Sequence, residues 1–164
     1  MKRINLMFAG MLLCGILIGW SSHFIASVPV TGVSAVLAQE EPATTDRGLF
    51  VNLTTDDTWS ANMAISLAQN GVDQGLRPVV IFLNVRGVYL GHNKRLPARE
   101  GNSDLNIHEK LQAFIESGGQ VLACPSCSRE AGLTQADYID GVVLGEPGGA
   151  LRFLTDPTIT VISY

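Results

Sequence analysis

Acidic residues are missing from the start of this 164-residue chain as far as Glu40; it opens on Met1-Lys-Arg3 and then Leu6–Trp20, an uncharged apolar run. A soluble domain has no place for such a stretch, so residues 1–38 read as an export leader and are set apart from the fold. Val33-Ser-Ala35 and Val36-Leu-Ala38 each offer a small residue where a signal peptidase cuts. Both lie far from the apolar run. The alternative is therefore an uncleaved N-terminal membrane anchor, crossing from Leu6 to about Ile25 with its basic end inside. Either form puts the domain outside the cytosol, in the periplasm or tethered facing it.

Cysteine is also scarce, three residues in all, and Cys14 lies in the apolar run behind Leu13, where a lipid-attachment signal would carry a small residue. That leaves Cys124 and Cys127, too close in sequence to staple a fold, which excludes a disulfide scaffold. Basic residues are few. Outside the leader nine of them face 15 acidic ones, a formal charge of −6, with no basic cluster. Such a domain has no electrostatic footprint for nucleic acid. Among 17 glycines there is neither G-x-G-x-x-G nor a P-loop, so no nucleotide or other cofactor is implied.

What the chain does contain is Val121-Leu-Ala-Cys-Pro-Ser-Cys-Ser-Arg-Glu-Ala-Gly132, an apolar run leading into two cysteines three apart. If Gln120–Ala123 is a strand and Pro125 opens a helix, where its missing N–H costs nothing, Cys124 becomes the N-cap. Its sulfur then faces the unpaired N–H groups of Ser126 and Cys127 and the positive helix end, which favour thiolate over thiol. Cys127, one turn on, lies on the same face. The competing interpretation is two small core residues at a strand–helix junction, but C-x-x-C at such a junction is a specific signal for redox or sulfur chemistry.

The elements around it alternate. Gln39–Arg47, polar and acidic with Pro42, is a linker, and the domain spans residues 48–164. Leu49–Thr55 is a strand, and Asp56-Asp-Thr58 caps a helix whose inner face carries Trp59, Met63, Ala64, Leu67 and Ala68, ended by Gly71 and Gly75. Val79–Leu83 reads as a strand buried on both faces. Arg86–Asn106 is irregular, with a short helical turn. Ile107, Leu111, Phe114 and Ile115 mark a second helix stopped by Gly118-Gly119. After the cysteine strand come a short helical piece in Leu133–Asp140, a strand Gly141–Leu144, a short helix Ala150–Leu154 and a last strand Thr158–Ser163. The pattern predicts a three-layer α/β/α domain with a mainly parallel five-stranded sheet covered on both faces. Its site should lie beyond the carboxyl ends of the strands, gathering Cys124, Asp56, Asp57 and the Arg86–Asn93 loop.

Other candidates have simpler explanations. Asp56 and Asp57 could serve as acid or base near the thiols, but a carboxylate is needed there to cap the first helix. His92 and His108 with the two cysteines would complete a tetrahedral zinc set. Their spacing does not suit a compact structural site, and His108 is off the apolar face of its helix, so no metal is expected. Arg129 beside Glu130 is better explained as a solvated pair than as a thiolate partner.

With these residues placed, the chain resembles the DsrE/DsrF-like family, including its TusD-type sulfur-relay subunits. The likeness runs from about Leu49 to Tyr164. It rests on Thr55-Asp56-Asp57, on Asn84-Val-Arg-Gly-Val-Tyr-Leu90, on Asp140-Gly141-Val142 and above all on Ala123-Cys-Pro-Ser-Cys-Ser-Arg-Glu-Ala-Gly132. The resemblance implies a compact α/β/α domain that forms homo- or hetero-oligomers. It also implies persulfide sulfur carried on a cysteine after the third strand, the position of Cys124. Cys127 or a partner's thiol would resolve it, with sulfur donor or acceptor proteins or small thiols as partners. Relay members work in a reducing cytosol, whereas an exported C-x-x-C tends towards a disulfide. A dithiol–disulfide redox protein is therefore the second reading, and a non-catalytic oligomeric binding module the third.

Overall fold

The computed structural model describes residues 46–164. The leader, its cleavage sites, Cys14 and the linker up to residue 45 lie outside the described residues. Five strands form one sheet: β1 (Gly48–Leu53), β2 (Val79–Leu83), β3 (Gln120–Ala123), β4 (Val142–Leu144) and β5 (Ile159–Ser163). Their order is β4-β3-β2-β1-β5, and every pairing is parallel. The helices are α1 (Thr58–Asp73), α2 (Ile107–Glu116), α3 (Pro125–Glu130) and α4 (Leu151–Leu154).

The connections from β1 to β4 all step in one direction across the sheet, and the one from β4 to β5 runs back past β1. With right-handed crossovers this puts α1 and α2 on one face and α4 on the other. Burial follows that division. Leu49, Val51, Leu53, Ile81, Leu83 and Val121 pack with α1 and α2 in the main core, while Phe50 and Val80 meet Phe153 of α4 on the far face. The third layer is thin. A single helical turn covers that side, and Val143 and Val161 remain 52% and 44% exposed there.

Helix α1 has a different inner face from the one expected. Its buried residues are Ala61, Ala64, Ile65, Ala68, Gly71 and Val72, whereas Trp59 and Met63 are exposed. Small residues at i, i+3, i+7 and i+10 let the helix lie close to the sheet. A side chain at Gly71 would press on Leu49. Gly71 is thus part of the packed helix, and the turn is made by Gly75 at φ 80°.

Helix α2 begins on a full capping box, with Asn106 accepting from the Glu109 N–H and Glu109 accepting from the Asn106 N–H. The irregular segment after β2 contains a 3-10 helix, Val85–Gly91, whose Val88 and Leu90 are buried within this same chain. These side chains therefore give no reason of their own for a second copy.

Candidate functional site

Strand β3 delivers Cys124 to the carboxyl edge of the sheet, where its N–H still bonds the carbonyl of Leu83 at 2.9 Å. Cys124 is extended (φ −62°, ψ 119°), Pro125 opens α3, and Cys124 is the N-cap, as the sequence predicts. Its sulfur accepts the Cys127 N–H at 3.3 Å. The expected second donor, the Ser126 N–H, makes no such bond, because a cap side chain reaches one donor of the first turn at a time.

Cys127 sits in a pocket that sequence reasoning did not anticipate. Its sulfur accepts the Val85 N–H at 3.2 Å, and its S–H points to Asn84 Oδ1 at 3.1 Å. Val85 has φ +49°, a left-handed conformation unfavourable for a β-branched residue and a mark of backbone strain. The strain has an evident use: it aims one N–H at both Asn84 Oδ1, 2.9 Å away, and the Cys127 sulfur. Asn84 is itself fixed by donating to Asn52 Oδ1 at 3.1 Å. Gly87 makes this turn possible, since a Cβ there would lie 2.1 Å from the Leu53 carbonyl oxygen.

Both cysteines are free thiols and partly buried. Burial, and next its hydrogen bond with Cys124, push the Cys127 thiol above its usual range, with the Val85 N–H pulling the other way. Beneath the pair, Ser128 is fully buried, donates to the Cys124 carbonyl at 2.7 Å and shares a 2.6 Å hydrogen bond with the Tyr138 hydroxyl. Burial also raises the Tyr138 phenol. The backbone that carries the Cys124 sulfur is thus braced from below.

The remaining candidates occupy other roles. Asp56 accepts from Arg86 Nε and Nη2 and from Arg95 Nη1, each at 2.9 Å, while both guanidiniums lie over the Tyr89 ring. The Arg86 hydrogen bond foremost, with Arg95 adding to it, holds the Asp56 carboxyl down at about 2. It stays ionised and engaged, which leaves it unsuited to acid–base work. Asp57 caps α1, accepting the Ser60 N–H at 2.9 Å and the Ser60 hydroxyl at 2.7 Å. His92 pairs by backbone with Tyr138, and burial lowers the imidazole of His108. Among the described residues no three His, Cys, Asp or Glu groups stand close enough to hold one metal ion. Arg129 is exposed in the last turn of α3, away from the Cys124 end.

Asn84, Val85, Ser128, Tyr138 and Arg95 complete the setting and were not singled out from sequence. The signal that existed was the Asn84-Val-Arg-Gly-Val-Tyr-Leu90 run, which contains the turn. Ser128 and Tyr138 left none, since a Ser in a helix and a Tyr in a loop have no distinguishing pattern.

A model of the DsrE/DsrF-like family matches residues 49–156. An uncharacterized protein of Methanopyrus kandleri is 37% identical over 84 residues, which is 51% of this chain and 65% of that protein's length. The fold is similar to those of the ychN protein from E. coli (TM-score 0.50, 19% identity, 72% of this chain and 100% of that one) and of a protein of unknown function from Methanobacterium thermoautotrophicum (0.56, 20%, 73% and 100%). A conserved protein of unknown function from Bacteroides thetaiotaomicron shares it as well (0.58, 20%, 74% and 97%).

Proposed function

The chain belongs to the DsrE/DsrF-like family, and from that premise we propose that it is a sulfur-handling protein whose Cys124 carries sulfur as a persulfide. The observation that carries this is the placement of two unbridged thiols at the carboxyl edge of a parallel sheet, Cys124 accepting an N–H and Cys127 one turn away. A thiolate is the nucleophile in sulfur transfer, and a second thiol within reach is what resolves the product. The Cys124 thiolate attacks a sulfane sulfur of the donor. A new S–S bond forms on Cys124, the bond from that sulfur to the donor breaks, and the donor leaves as a thiolate with the electron pair. Its partners are sulfur donors or acceptors, proteins or small thiols, met in the periplasm by an exported or tethered domain that associates with copies of itself.

Mass spectrometry after incubation with sodium tetrasulfide tests this. One added sulfur on wild type and on Cys127→Ser, and none on Cys124→Ser, is the expected pattern. No added sulfur on Cys124 in any form would remove the proposal. A dithiol–disulfide exchange role is the second reading, favoured by two free thiols held within one helical turn, the Cys127 N–H bonding the Cys124 sulfur. A reduction potential below about −300 mV, the range of inert structural bridges, would rule it out.

A further inference from the structure

Although Cys124 and Cys127 share one helical turn, they open onto different surfaces. Cys124 lines a cleft of about 480 Å3 with Phe82, Leu122, Val143, Gly149 and Arg152. Cys127 lines a groove of about 310 Å3 with Val85, Arg86, Tyr89, Glu130 and Ala131. The two linings have no residue in common. A thiol pair that serves one partner at a time needs only one opening. Two separate openings joined by adjacent sulfurs are what a hand-over between two partners needs.

Building on the persulfide reading, we propose that sulfur enters at Cys124 through the first cleft, passes to Cys127 and leaves through the second groove to a small acceptor thiol of amino-acid type. In the inner step the Cys127 sulfur attacks the outer sulfur of the Cys124 persulfide. The S–S bond on Cys124 breaks, a new one forms on Cys127, and the proton of the Cys127 thiol ends on Cys124. The sulfane sulfur keeps its oxidation state, so no oxidant or reductant is consumed. In the outer step the acceptor thiolate takes the same sulfur and returns Cys127 as a thiolate.

The first cleft is lined by one cation and one anion, Arg152, which lies over the Phe153 ring at 4.5 Å, and Glu146, so its charge selects no donor and it is the opening onto Cys124 that admits a polysulfide chain. The second groove sets one guanidinium and one carboxylate, Arg86 and Glu130, around the Tyr89 ring. Arg86 uses Nε and Nη2 on Asp56 and keeps a side chain that is 65% exposed. A thiol bearing both an amine and a carboxylate matches that pair of charges.

The test separates loading from unloading. Protein is loaded with sodium tetrasulfide, freed of excess, and unloaded with glutathione, with intact mass followed through both steps. Val143 and Glu130 are exposed, one at each opening, so a bulky side chain obstructs an opening without entering the core. Val143→Trp is expected to slow loading several-fold while unloading of the loaded protein moves little. Glu130→Trp should give the converse, and Cys127→Ser should load normally and unload several-fold more slowly. Each variant's unaffected step shows that it is folded. If both tryptophan variants slow the same step, or if Cys127→Ser unloads at the wild-type rate, the acceptor reaches Cys124 directly and the two-opening route is wrong. If the wild type gains no sulfur at all, the persulfide reading falls first and this route with it.

Discussion

Cys124 and Cys127 differ in what surrounds each sulfur. One caps α3, bonds a single N–H and faces a cleft; the other is pressed between Asn84 and the strained Val85, with its thiol held above the ordinary range. Iodoacetamide at mildly acidic pH should therefore label Cys124 first. Cys124→Ser should abolish fast labelling and Cys127→Ser should leave it, as peptide mapping would show; labelling of Cys127 first would reverse the choice of nucleophile. At Asp56 the chemistry is electrostatic. Its carboxyl is depressed from 3.8 to about 2, so its stabilising effect is complete above pH 4 and disappears as pH falls through 2. Its Arg partners are about half exposed or more, which limits the contribution to about 1 kcal/mol. Asp56→Asn should lower urea stability by that amount at pH 7 and by progressively less as pH falls towards 2.

Cys124 as N-cap ahead of Pro125 was legible because the proline, the cap and the preceding apolar run are all local. The Asn84–Val85 cradle was not, because it joins residues about forty positions from Cys127 through a backbone torsion that no side-chain pattern encodes.

Among the elements, the strands were read nearly to the residue because parallel strands buried on both sides are continuous apolar runs; β2 and β3 fall on Val79–Leu83 and Gln120–Ala123 as expected. Helix α1 was rotated in the reading, since large apolar side chains were given the inner face while the close helix–sheet approach selected Ala and Gly. The turn after β2 is the element on which the Cys127 environment depends. Gly87→Ala would drive a methyl group into the Leu53 carbonyl and should cost about 3 kcal/mol or more. Urea unfolding measures the loss, and a change below about 0.5 kcal/mol would mean that the turn is not held as described.

For the whole molecule, the thin third layer has consequences. Val161, Leu151 and Leu154 are exposed on or beside the far face and do not line the cleft that contains Cys124. An apolar surface of this kind is a common association site. Residues 40–164 should sediment as a multimer, and Val161→Asp should shift them towards monomer; a wild-type monomer at tens of micromolar would leave the face without a second copy. N-terminal sequencing of the mature protein should begin near Val36 or Gln39, or find Met1 intact in the membrane fraction, and a soluble cytosolic full-length chain would refute export.

Sulfur carriage at Cys124 is tested most directly by the state of the two cysteines in protein taken from its own compartment without reductant. Peptide mass spectrometry should find an added sulfur on Cys124 in a measurable fraction of molecules, discharged by thiol and lost in Cys124→Ser. A Cys124–Cys127 disulfide in every molecule, inert to thiols, or two bare thiols that never gain sulfur, would contradict it.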